Sequence, residues 1–166
     1  LIAEDRLRKQ ATLDPLTGLN NRRHFETLAT HVLARSQRDG TPVALLLCDV
    51  DHFKRVNDEH GHAVGDEVLI AMSRLLGHNL RDGDVLARWG GEEFLALMPA
   101  CPLDNACAVA ERIRAAVHAT PVDVGTASLT ITLSFGVAQV HGAADLQAAI
   151  ARADKALYEA KNGGRH

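Results

Sequence analysis

The chain has 166 residues, 46% of them apolar, and a formal net charge of −3. That suffices for one hydrophobic core and offers no basic surface for a nucleic acid polymer. No run approaches the roughly 20 apolar residues of a membrane helix. The three cysteines lack metal-ligand spacing and the nine histidines show no HExxH pattern, which argues against zinc and for reduced thiols in a cytoplasmic setting.

In chain order, residues 1–11 read as a short charged helix with a weak stripe of Ile2, Leu7 and Ala11. The expected division is residues 1–12 as the remainder of a signalling helix or linker behind an upstream regulatory domain, and residues 13–166 as one folded domain. Asn20 or Asn21 caps a helix running to about Gln37, whose apolar face is Phe25, Leu28, Ala29, Val32 and Leu33. After the Asp39-Gly40 turn, residues 42–50 read Pro-Val-Ala-Leu-Leu-Leu-Cys-Asp-Val, a continuous apolar run suited to a buried central strand. A short helix follows Asp51, and a longer one is expected over residues 63–80.

Residues 85–89 and 94–98 are strand-like and flank Gly90, Gly91, Glu92 and Glu93, which reads as a hairpin with glycines at its tip. Asp104 starts another helix with Ala108, Ile113 and Val117 inward. Strands are expected over residues 122–125 and 129–140, where Thr130, Thr132 and Ser134 alternate with Ile131, Leu133 and Phe135. A last helix covers residues 145–162. A hairpin between helix-flanked strands implies an α+β sandwich with a largely antiparallel sheet.

Two acidic clusters carry the chemistry. Asp49 and Asp51 end the apolar strand two residues apart, so they share a face. A carboxylate there is costly unless a cation compensates it, and hard divalent cations prefer oxygen ligands. Asp51 also suits the start of a loop or a helix cap. Glu92 and Glu93 adjoin bare glycine backbone, a setting for a phosphate and its metal. Solvated glutamates on an ordinary hairpin fit the same residues. In a regular turn Glu93 points away from Glu92, which makes its role secondary.

Residues 49–58, Asp-Val-Asp-His-Phe-Lys-Arg-Val-Asn-Asp, followed by Gly61-His62-Ala63-Val64-Gly65-Asp66, resemble the DxDxFKxxND and GHxxGD motifs of the GGDEF family, the diguanylate cyclases. Residues 88–94 carry its signature loop in the GGEEF form. Asp14-Pro15-Leu16-Thr17-Gly18-Leu19 with Asn21-Arg22-Arg23 is similar to the opening motif of that family, and residues 160–165 to its closing KxxGRN, with His166 where Asn is usual. The resemblance spans residues from about 12 to 166. It implies a palm-like fold of the nucleotidyl cyclase and polymerase palm type.

It also implies an enzyme that condenses two GTP into cyclic di-GMP and two pyrophosphates at a homodimer interface. The resemblance assigns metal binding to Asp49, Glu92 and the Val50 carbonyl, with Mg²⁺ as the cofactor and Mn²⁺ as a substitute. Lys54 matches its phosphate or transition-state lysine, and Lys161 and Arg165 its distal phosphate clamps. A solvated helix end accounts equally for the latter two. Glu92 is the expected proton acceptor, with Glu93 beside it. Asn57 and Asp66 match the guanine ligands, and His62 is close enough in sequence to line the same pocket.

The base assignment has a physical basis, because a carboxylate only accepts hydrogen bonds and guanine presents N1–H and N2–H₂ as donors. Helix capping by Asp66 and turn formation by Asn57 are the plainer roles. Arg81 and Asp84 match the RxxD site at which related cyclases bind their product as an inhibitor, and an ordinary charged turn looks the same. The rival to a cyclase is a catalytically weak module that senses GTP or cyclic di-GMP. An adaptor would leave the acidic strand end without a rationale. Cytoplasmic placement is expected for this domain, with membrane attachment of a longer protein left open.

Overall fold

A computed structural model describes residues 2–163. Its elements are α1 (Ile2–Thr12), α2 (Arg22–Asp39), β1 (Val43–Val50), α3 (Phe53–His60), α4 (His62–His78), β2 (Val85–Arg88), β3 (Glu93–Pro99), α5 (Leu103–Ala119), β4 (Val122–Asp123), β5 (Ser128–Leu129), β6 (Leu133–Val140) and α6 (Leu146–Asn162). A 3-10 turn at Ala143–Asp145 leads into α6. None of these helices is long and apolar enough to cross a membrane.

The main sheet has the order β2-β3-β1-β6, every neighbour antiparallel. β1 is flanked on both sides, as its unbroken apolar run requires. Side chains alternate across the sheet. Leu46, Cys48 and Val50 face a core shared with Val68 and Met72 of α4 and Ile113 of α5. Leu45 and Leu47 face a second core built with Phe25 and Leu33 of α2 and Ala149 and Leu157 of α6. The result is the expected α+β sandwich.

Two expectations need correction. Ala108 is exposed, and α5 turns Ala106, Ala110, Ile113 and Val117 inward instead. In an alanine-rich helix the stripe is weakly marked, so an error of half a turn is easy. The strand expected over residues 129–140 is two strands. β5 pairs only with β4, and the sheet strand begins at Leu133. Thr132 lies just before it, where its hydroxyl donates to Asp51 Oδ2 at 2.7 Å and its carbonyl accepts from the Asp51 N–H at 3.0 Å.

α6 lies directly on β6. A Cβ at Gly136 would overlap the Ala153 carbonyl oxygen and stand 2.7 Å from the Leu157 nitrogen. Main chain cannot step aside as a side-chain tip does. Gly136→Ala should therefore lower stability by about 1–3 kcal/mol, read as a lower urea midpoint with an unchanged slope. A midpoint equal to wild type would show that the contact is not tight.

Candidate active site

The buried strand delivers its acids to one end of the sheet. Asp49 is opposite Glu93 on one side and Ser134 on the other, so Asp49 and Glu93 share the α6 face. Asp51 is on that face too. Its two oxygens accept from Thr132 Oγ1 and Ser134 Oγ, both at 2.7 Å, which ties the end of β1 to β6. The chain then turns sharply through His52, in the left-handed region at φ 57°. His52 is the N-cap of α3 without a side-chain capping bond.

Glu92 belongs to the turn and Glu93 to the start of β3. The Val50 N–H donates to the Glu92 carbonyl at 3.1 Å, and the Trp89 N–H to the Glu93 carbonyl at 2.8 Å. Gly90 lets the Glu93 carboxylate approach closely, since a Cβ there would sit 2.5 Å from Glu93 Oε1 and turn that side chain aside. Both glutamates hold protons more firmly than usual. Burial is the main cause for each, and the Asp49 charge comes next. Asp154 and Glu92 add to the effect on Glu93, while Lys161 opposes it on both. Burial with like charge disfavours ionisation.

Lys161 extends from the last turn of α6 to Asp49 Oδ2 at 2.8 Å. The expected phosphate clamp is thus an ion pair on an expected metal ligand. Arg165 lies outside the described residues.

An open cleft of about 540 Å³ gathers five of the expected residues: Lys54, Asn57, His62, Asp66 and Glu92. Phe53 and Leu69 add apolar wall. Asn57 Oδ1 is buried and accepts no hydrogen bond from any of the described residues. A buried acceptor of this kind is costly unless a ligand donates to it. Gly65 makes the arrangement possible, since a Cβ there would overlap Asn57 Oδ1.

Arg88 also lines this cleft and was not expected to. Its Nη2 donates to the Gly91 carbonyl at 2.7 Å, and its Nη1 meets Asp14 Oδ1 at 3.2 Å. Asp14 is itself held by the Thr17 N–H and hydroxyl at 2.9 and 2.8 Å. Next to it, Trp89 is covered by the Arg22 guanidinium 4.1 Å from the ring centre and meets Phe25 edge-on at 5.6 Å. Only the fixed spacing of Asp14 and Arg88 from their motifs could have hinted at this partnership.

The expected inhibitory pair lies at the other end of β2. Asp84 Oδ2 accepts from the Arg81 N–H at 2.7 Å, and Arg81 Nη2 donates to the Pro99 carbonyl at 2.8 Å. A cleft of about 350 Å³ contains both residues and adds Arg112, whose Nη2 donates to the Asn79 carbonyl at 2.6 Å. Cys101 lines it too, and all three cysteines are free thiols.

Residues 11–166 match the family described as diguanylate cyclase, GGDEF domain. The chain belongs to the GGDEF family of diguanylate cyclases. It is 44% identical over 95% of its length to the diguanylate cyclase DgcP of Pseudomonas aeruginosa, and spans 24% of that relative. Among solved structures it resembles the diguanylate cyclase SiaD of Pseudomonas aeruginosa, in complex with its activator SiaC. The TM-score is 0.87 at 43% identity, over 98% of this chain and 63% of that one. It also resembles the coiled coil and GGDEF domain of DgcB from Caulobacter crescentus in complex with c-di-GMP. There the TM-score is 0.89 at 31% identity, over 98% of this chain and 87% of that one.

Within this GGDEF domain the Asn57–Gly65 contact can be tested alone. Gly65→Ala should push the Asn57 side chain aside and weaken GTP binding by about tenfold, the 1–3 kcal/mol scale of one lost buried hydrogen bond. The amide can rotate, so the melting temperature should move little. Calorimetric titration checks the affinity, and undiminished binding would remove Asn57 from the site.

Proposed function

We propose that this domain condenses two GTP into cyclic di-GMP and two pyrophosphates. The observation that carries this reading is the single cleft in which Lys54, Asn57, Asp66 and Glu92 meet. A phosphate-seeking cation, two groups suited to the guanine edge and an acid that retains protons unusually well are the parts such a reaction needs. Asp66 accepts from N1–H and N2–H₂, and Asn57 Oδ1 accepts beside it. Lys54 draws the triphosphate in and offsets charge that develops on it. His62 lines the pocket, and Lys161 and Arg165 are added contacts for the distal phosphates. The 3′-hydroxyl oxygen of one GTP attacks the α-phosphorus of the other, its proton passes to Glu92, and the bond to the leaving pyrophosphate breaks. Glu93, on the opposite face of the strand, contributes charge.

Among the described residues no three His, Cys, Asp or Glu side chains converge tightly enough to hold an ion. The proposed donors are two carboxylates, Asp49 and Glu92, and the Val50 carbonyl. They fit a hard cation, being all oxygen and carrying a charge that burial makes unfavourable. Mg²⁺, or Mn²⁺ in its place, supplies charge neutralisation at the triphosphate. One cleft holds one nucleotide, so the product requires two domains face to face in a C₂ homodimer. A GTP-consuming domain of this kind works in the cytoplasm, and a preceding regulatory domain would set the dimer.

The test is incubation with GTP and Mg²⁺ followed by chromatography of the product. Asp49→Ala and Glu92→Ala, each verified as folded, should fall below about a tenth of the wild-type rate, a barrier increase above about 1.4 kcal/mol. Retained turnover in either would overturn the metal assignment. Nucleotide binding without product in the wild type would select the sensor reading.

Arg81 and Asp84 serve, in this proposal, as a second site for cyclic di-GMP. Arg81 exchanges its Pro99 carbonyl for a phosphate or a guanine edge, with Arg112 at the same cleft. Arg81→Ala should weaken product binding and relieve product inhibition, measured together by titration and initial rate. Unchanged affinity and inhibition would reject the site. Binding without inhibition would reject only the regulation.

A further inference from the structure

The ion pair between Lys161 and Asp49 is at odds with a site that must take up a divalent cation. Asp49 is 13% exposed and Lys161 25%, so the pair is largely shielded from water. Asp49, Glu92 and Glu93 all sense the same ammonium, and Asp154 adds a fourth negative charge near Glu93. The ammonium on Asp49 Oδ2 neutralises charge that a divalent ion would draw on, and two cations at one carboxylate repel each other. α6 is seated on β6 through Gly136 at Ala153 and Leu157, so the flexible Lys161 side chain is the part with the most freedom to move.

We propose that Lys161 is an exchangeable counter-ion: it occupies Asp49 in the metal-free protein and is displaced when a divalent cation binds there. This rests on the reading of Asp49 as a metal ligand. Lys161 stabilises a cluster of like charge while the site is empty of metal, and it lowers the affinity of the free protein for the ion. Displacement frees a cation beside the cleft at the moment the metal arrives. Metal uptake and anion uptake thereby become linked, since each event favours the other. An ordinary structural strap makes a different prediction, because losing it would loosen α6 without tightening the metal.

The experiment measures Mn²⁺ binding without nucleotide, by the loss of free-ion signal in electron paramagnetic resonance. It compares wild type, Lys161→Met and Asp49→Asn. Lys161→Met should bind Mn²⁺ about fivefold tighter or more, which corresponds to about 1 kcal/mol. Its melting temperature should fall below wild type in chelator and recover most of the difference at saturating Mn²⁺. Asp49→Asn should lose the site. Equal or weaker Mn²⁺ affinity in Lys161→Met, with the site still lost in Asp49→Asn, would overturn the exchange and leave the metal reading standing. Mn²⁺ binding that ignores Asp49→Asn, or no binding in any of the three, would overturn the metal reading and the exchange together.

Discussion

Negative charge placed at the end of a buried strand is the constraint on which this molecule turns. β1 is apolar along its length until Asp49, and its antiparallel register with β3 sets Glu93 directly opposite. Like charges across a strand pair are destabilising, and burial sharpens the penalty. The fold answers with several separate devices. Lys161 descends from α6 onto Asp49. Thr132 and Ser134 satisfy Asp51. The glycine turn keeps Glu92 on the cleft side while Glu93 begins the strand. Each device is a local departure from the regular pattern, and each occurs at the same end of the sheet.

Regular elements were readable because their signal is local. Six consecutive apolar residues, Val43 to Cys48, identify β1 as central, and Asn21 marks the start of α2 through a bond to the His24 N–H at 2.9 Å. The motif residues of the cleft were readable for another reason: Lys54, Asn57, His62 and Asp66 fall within a stretch of 13 residues, on the short α3 and the first turns of α4. What escaped was long-range. Arg88 meets Asp14 across 74 residues, and Lys161 meets Asp49 across most of the chain. Neither partner can be chosen from a sequence containing 18 cations and 21 acids. The split between β5 and β6 was hidden in the same way, because the choice of pairing partner is long-range: β5 pairs with β4 and β6 with β1.

The N-terminal segment is bound to the β2–β3 hairpin more closely than a linker need be. Asn21 accepts from α2 and donates to the Ala11 carbonyl at the end of α1. Asn20 donates to the Leu86 carbonyl at 3.0 Å and accepts from the Arg88 N–H at 3.0 Å. Asp14 holds Arg88, and Arg88 holds Gly91. The middle of this chain of bonds is half-buried, at Asn20 and at the Asp14–Arg88 pair, while its two ends, Asn21 to Ala11 and Arg88 to Gly91, are exposed. Half-buried bonds cost more to break than exposed ones, so the fixed part of the segment is the stretch from Asp14 to Asn20 rather than α1 itself.

β2 connects the two clefts. It runs only from Val85 to Arg88, about 13 Å at the rise of an extended strand. Asp84 precedes it and Arg88 ends it, so the proposed product site and the nucleotide cleft are two ends of one strand. Proximity alone does not couple them. A ligand shifts an equilibrium only by its difference in affinity between two states, and β2 is paired to β3 along its whole length, which leaves it little freedom to adopt a second conformation within one domain. On the proposed reading, inhibition then acts between domains: product bridging Arg81 and Arg112 to another copy would hold two clefts apart. On that same reading the rigidity of the sheet matters, because a cleft held in one conformation is silenced by occupying it or by keeping its partner away, and the Arg81 site is too far along β2 to occupy it.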